Sequence, residues 1–237
     1  MKSLIELLNH LGLASTQTRL GTDKSDPHTY LQNFYEELFN RMHPINSILE
    51  IGIWKGASLA LWKHRFPKAT VVGVDIKVED LHPVTQELVQ SNQVEVTEVD
   101  AYSREFFENE LRKFDIIIDD GPHTLTSQIL ALEFREKLSD QGVLVIEDVQ
   151  KSILDFVRLK RSLPKNERVN CLWISFSDKS YRYDDAVFIY SRSKDILDRL
   201  RKHAHEFQYW GMLHPLFYYP YRAWTRLIVK LGIKAYK

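Results

Sequence analysis

From about residue 47 onward, apolar runs of strand length alternate with segments of helical period. SILEIGI (47–53), VVGVD (71–75), VEVTEVD (94–100), FDIIID (114–119) and GVLVIED (142–148) are predicted strands. ASLALWKHRF, LHPVTQELVQ, SREFFENELRKF and TLTSQILALEFREKL, lying between them, are predicted helices. Strict alternation of this kind argues for an α/β fold, a mostly parallel sheet with helices on both faces. A further helix over SILDFVRLKRSL precedes two strand-like runs, CLWISF and DAVFIY. Those two are joined by the polar SDKSYRYD with no helix between them, which favours an antiparallel C-terminal hairpin at one sheet edge. Upstream, Tyr30, Leu31, Phe34, Leu38 and Phe39 fall on one face of a helix starting near Asp26-Pro27, a face expected to enter the core. The pattern divides the chain into an N-terminal helical cap (1–45), a core (46–191) and a C-terminal extension (192–237).

The polar residues that end the apolar runs carry the chemistry. Two neighbouring runs stop at paired acids, Asp119-Asp120 and Glu147-Asp148, and His123 follows the first pair. In an open parallel sheet, ligands bind outside the carboxyl ends of the strands. Two acid pairs and a histidine at that edge suggest a divalent-metal site with a base beside it. Hard oxygen ligands without cysteine suit magnesium better than zinc.

The turn after the first strand, Glu50-Ile51-Gly52-Ile53-Trp54-Lys55-Gly56, leads into a helix that opens with Ala57-Ser58. Its glycines let a ligand approach the backbone, and the following helix offers unpaired N–H groups. The spacing is G-x-x-x-G, not the G-x-G-x-x-G of dinucleotide sites, and no Walker-type Gly-Lys-Ser/Thr ending follows. The second strand ends in Asp75, where a carboxylate grips ribose hydroxyls, and the third in Asp100, placed to meet an adenine amino group.

Bulk composition narrows the classes further. The 237 residues carry 32 basic and 32 acidic side chains, so no global field draws the chain to nucleic acid. A single cysteine, Cys171 in the apolar CLWISF, excludes an intramolecular disulfide and a multi-cysteine zinc site. No apolar run approaches the ~20 residues a membrane span needs, and MKSLIELLNHLG lacks a signal-peptide pattern, so a cytoplasmic protein is expected.

LEIGIWKGASLALWKHRFP, VVGVDI, FDIIIDDGPHT and GVLVIEDVQ together resemble the class I S-adenosylmethionine-dependent O-methyltransferases of macrolide and aminocoumarin sugar tailoring. Gly21-Thr22-Asp23-Lys24, with His28 and Tyr30 after it, matches that group as well, and the resemblance spans roughly residues 20–150. It implies a Rossmann-like methyltransferase fold and methyl transfer to a hydroxyl, on a sugar or glycoside acceptor. It places magnesium on Asp120, Glu147 and Asp148 and a general base at His123. It sets Thr22, Lys24 and Tyr30 near the cofactor or acceptor, with Glu50, Gly52, Gly56, Ser58, Asp75 and Asp100 around the cofactor. Asp119 faces opposite to Asp120 by strand alternation, toward the cofactor or the cap of the next helix. Catechol-type methylation of a phenol, a dinucleotide-dependent oxidoreductase and a non-catalytic cofactor-binding module are the competing readings.

The chain after Glu206 has no acid, and Arg222, Arg226, Lys230 and Lys234 recur every four residues among many aromatics. A basic amphipathic helix of this kind suits a peripheral membrane contact or an acidic glycan. The alternative is docking on the chain's own core or on a second copy in a homo-oligomer.

Overall fold

The computed structural model describes residues 2–26, 28–42, 44–150, 153–176 and 185–211, apart from the side chains of Ile153 and 203–211. The basic aromatic stretch with Arg222, Arg226, Lys230 and Lys234 lies outside the described residues.

Seven strands form one sheet: β1 (Ser47–Ile51), β2 (Thr70–Asp75), β3 (Val94–Glu98), β4 (Phe114–Asp119), β5 (Leu138–Ile146), β6 (Cys171–Ser175) and β7 (Ala186–Ser191). Their order is β3-β2-β1-β4-β5-β7-β6. The first five strands pair in parallel. β7 runs antiparallel to both β5 and β6, which is the expected hairpin. α3 (Ala57–Arg65), α4 (Pro83–Gln90), α5 (Arg104–Asn109) and α6 (Leu125–Ala131) follow β1 to β4 in turn, and α7 (Ile153–Ser162) follows β5. α1 (Leu4–His10) and α2 (Glu36–Arg41) lie upstream, and α8 (Lys194–Gly211) closes the described chain.

Inside the edge strand β3, whose residues alternate and are largely exposed, the sheet is buried on both faces, so its strands are mostly apolar along their length. Alternation instead selects the face. Ile48, Ile116, Ile118, Val143 and Val145 join one core with α1, α2, α3 and the start of α8. Leu49, Ile51, Ile117, Leu144 and Ile146 join the other, under α6 and α7. Cys171 is buried in that second core, as its apolar setting suggests. Tyr30, Leu31, Phe34, Leu38 and Phe39 are all buried in the first core. Their helix starts later than the sequence implies, with a π-helical turn (Leu31–Tyr35) before α2. Thr29 explains the delay, since its φ of 61° breaks the helical path. The segment after α6 tightens into a 3₁₀ helix (Leu132–Lys137), so one predicted helix becomes two. Among the described residues, no helix is long and apolar enough to cross a membrane.

The switch point of this topology lies between β1 and β4, where the chain leaves in opposite directions along the sheet. Ligand crevices form outside the strand ends at such a point. The parallel ladder continues past the regular strands there. Gly52 N–H donates to the Val74 carbonyl at 2.8 Å, Asp120 N–H to Ile51 at 2.8 Å and Glu147 N–H to Asp119 at 2.9 Å. This places Gly52, Asp120 and Glu147 on one level just beyond the sheet. Gly52 has φ of +80°, and a Cβ there would strike the Asp120 backbone carbonyl. Gly52→Ala is therefore expected to destabilise the fold by at least about 1–3 kcal/mol, the cost of one strained left-handed residue. A lowered melting temperature on thermal denaturation checks this, and an unchanged one would contradict it.

Candidate active site

A cavity of about 610 Å³ opens over this switch point. Its floor is the 52–55 turn and Ser58, one wall carries Asp75, Asp100 and Tyr102, and Asp120, His123 and Asp148 close the far side. The N-terminal segment supplies the remaining wall through Ser15, Arg19, Thr22 and Asp23. Thr22, Gly52, Ser58, Asp75, Asp100, Asp120, His123 and Asp148, all singled out in the sequence, thus face one space.

Local bonding explains how the turn is held. One oxygen of Asp75 accepts from the N–H groups of Ile53 (2.9 Å) and Trp54 (3.2 Å), and the other from Lys77 N–H (3.2 Å). Asp75 therefore ties the end of β2 to the turn after β1. Trp54, forced to φ of 51°, stands 70% exposed at the mouth of the cavity. Asp100 accepts from the backbone N–H of Tyr102 at 2.9 Å. The Tyr102 hydroxyl then donates to Asp119 on the level below. Burial pushes the Asp119 carboxyl up to about 7; the Tyr102 bond opposes that rise and Asp120 adds to it. Tyr102 and Arg19 escaped the sequence reading. For Tyr102 the signal was its place two residues after the acid that ends the β3 segment.

Three groups converge at the acid end. His123 Nε2 lies 3.9 Å from Asp120 Oδ1 and 3.6 Å from Asp148 Oδ2. Ligand atoms of these three residues all lie within 4.8 Å of one another, close enough to share one cation. Both His123 (φ 55°) and Asp148 (φ 51°) occupy left-handed backbone that non-glycine residues rarely adopt. Such strain persists only where the surroundings enforce it, and it clusters at functional sites.

Glu147, Glu50, Lys24, Tyr30, Gly56 and Asp119 do not line the cavity. Gly56, at φ of 74°, faces α4, where an added Cβ would lie 2.9 Å from the Thr85 methyl. The first four stand directly behind the acid end. Lys24 is 1% exposed, and its Nζ lies 2.6 Å from Asp120 Oδ2, 2.7 Å from Glu147 Oε2 and 3.4 Å from Glu50 Oε1. Burial disfavours its charge, but Asp120, Glu147 and Glu50 outweigh that and hold the ammonium well above the ordinary lysine range. Glu147, expected in the sequence as a metal ligand, accepts from Lys24 on one oxygen and from the Tyr35 hydroxyl on the other. Tyr30 donates to Asp148 Oδ1 at 2.6 Å, and His28 Nδ1 lies 3.4 Å from the same oxygen. Burial opposes the charge of His28, yet bonds to Asp185 and Asp23 and the field of Asp148 raise its pKa to about 10.

No protein-family profile matches the chain. Over 149 residues the chain is 29% identical to the 8-demethyl-8-alpha-L-rhamnosyl tetracenomycin-C 2′-O-methyltransferase of Streptomyces olivaceus, covering 60% of this chain and 38% of that protein. Over 87 residues it is 34% identical to the mycinamicin VI 2″-O-methyltransferase of Micromonospora griseorubida, covering 32% of this chain and 20% of that protein. The chain thus matches less than two fifths of either relative's length. Among solved structures, it superposes on the O-methyltransferase from a trans-AT PKS multienzyme of Brevibacillus brevis, solved with S-adenosyl-L-homocysteine. The TM-score is 0.50 at 10% identity, over 73% of this chain and 76% of that one. The fold is the Rossmann-like methyltransferase fold, and the sequence is similar to sugar O-methyltransferases.

Removing one partner from a buried ion cluster leaves charges without compensation and costs about 3–5 kcal/mol. Lys24→Met is expected to lower unfolding stability by that amount in denaturant titrations. Lys77→Met, whose ion pair with Glu79 is exposed, should stay within about 0.5 kcal/mol of the parent. Equal stabilities for the two variants would show that the Lys24 cluster contributes nothing.

Proposed function

We propose that this protein transfers the methyl group of S-adenosylmethionine to a hydroxyl oxygen of a sugar or glycoside, with assistance from magnesium. The observation that carries the reading is a single cavity joining a cofactor-type turn to a cluster of two carboxylates and an imidazole. Both curated relatives are named as O-methyltransferases acting at a 2′ or 2″ oxygen, one of them on a rhamnosyl compound.

On this reading the cofactor lies along the 52–56 turn, with its ribose toward Asp75 and its adenine toward Asp100. The acids Asp23, Asp75, Asp100, Asp120 and Asp148 make the cavity wall favourable for a sulfonium cation. The acceptor hydroxyl enters between that cation and His123. Its oxygen forms a bond to the methyl carbon as the carbon–sulfur bond breaks, and the electron pair stays on sulfur to give the neutral thioether. A sugar hydroxyl is too weak an acid to ionise near neutral pH, so its proton must leave as the bond forms. His123 Nε2, which faces the same space, accepts that proton.

The outer oxygens of Asp120 and Asp148 fit a magnesium ion, which is commonly held by one or two carboxylates while keeping waters. When bound, the ion supplies Lewis-acid stabilisation of negative charge on the acceptor oxygen. Glu147, the third acid of the proposed magnesium set, stands beside them and accepts from Lys24 and Tyr35.

Calorimetry should show S-adenosylhomocysteine binding and no NAD binding. Turnover on rhamnosyl and related glycosides, followed by mass spectrometry, should disappear in excess EDTA while cofactor binding persists. His123→Ala should lower kcat by about 10²–10⁴-fold, the range for a lost general base, with cofactor affinity retained. Tight NAD binding without any response to S-adenosylhomocysteine would overturn the reading.

A further inference from the structure

The two acids that face His123 are each gripped from behind by the same short N-terminal segment. Asp120 gives its Oδ2 to the Lys24 ammonium at 2.6 Å and leaves Oδ1 toward His123. Asp148 gives its Oδ1 to the Tyr30 hydroxyl at 2.6 Å, with His28 3.4 Å away, and leaves Oδ2 toward His123. Each carboxylate thus has one oxygen committed to residues 24–30 and one turned to the cavity. A carboxylate with a single fixed oxygen cannot rotate freely about its last torsion, so the free oxygens stay convergent.

We infer that Lys24 and Tyr30 are positioning residues: they orient Asp120 and Asp148 so that one oxygen of each points to a shared cation position beside His123. Neither lines the cavity, although the resemblance set both near the cofactor or acceptor. The inference rests on the magnesium reading of the proposed function. Groups that orient metal ligands through their other atoms commonly change metal affinity 10–100-fold when removed.

Tyr30→Phe is the cleaner test. It deletes one hydroxyl and keeps the ring packed edge-on to Phe176, 5.6 Å between centroids. Mn²⁺ binding to the protein, read by calorimetry or by the loss of free-ion EPR signal, should weaken about 10–100-fold. S-adenosylhomocysteine affinity should stay at the parent value, and raised metal concentration should recover turnover. Unchanged Mn²⁺ affinity in Tyr30→Phe would overturn the inference, as would a parallel fall in Mn²⁺ and S-adenosylhomocysteine affinity, the mark of a purely structural role. Parent protein that binds S-adenosylhomocysteine but no Mn²⁺ would remove the metal reading itself, and this inference with it.

Discussion

One buried ammonium holds together parts of the chain that are far apart in sequence. Lys24 belongs to the segment that walls the cavity, while Glu50, Asp120 and Glu147 stand at the ends of three adjacent strands, β1, β4 and β5. Glu50 and Glu147, both buried, and the partly exposed Asp120 beside them could not stand this close without a cation among them, since buried charge carries a large desolvation cost. Lys24 could not be buried either without its acids. The N-terminal segment and the sheet edge therefore complete one another, and the cavity exists only where they meet.

The reactive end of the cavity inherits its geometry from this arrangement. Tyr35 and Lys24 satisfy Glu147, and Tyr30 and His28 hold one oxygen of Asp148. Asp148 is held in left-handed backbone from two sides, by Gln128 at its carbonyl and by Tyr30 at its carboxylate. The cavity side of the cluster is polar and partly open, with His123 39% exposed, while the side behind it is sealed. The asymmetry suits a site that must exchange protons with an entering hydroxyl yet keep its acids in fixed directions.

Much of this was legible in the sequence. The order of strands and helices follows from apolar runs and their periods, and the hairpin from the short polar stretch that joins CLWISF to DAVFIY in the sequence. The cavity-lining acids Asp75, Asp100, Asp120 and Asp148 were visible because each ends an apolar run or follows one directly. The division of labour within the acid cluster was not. Spacing places Glu147 and Asp148 side by side but cannot say that Lys24, 123 residues earlier, claims the first. Tyr30 and Lys24 were expected near the cofactor or acceptor, and only the tertiary packing shows them bonded to the acids from behind. The π-helical start before α2 was equally invisible, because a left-handed Thr29 has no composition signal.

A structure of the protein with S-adenosylhomocysteine and Mn²⁺ bound tests the account most directly. The account predicts the ribose at Asp75, the sulfur facing His123, and the ion on Asp120 Oδ1 and Asp148 Oδ2, with Lys24 still bonded to Glu147. An ion bound away from Asp120 and Asp148, or a cofactor lying outside the 52–56 turn, would contradict it.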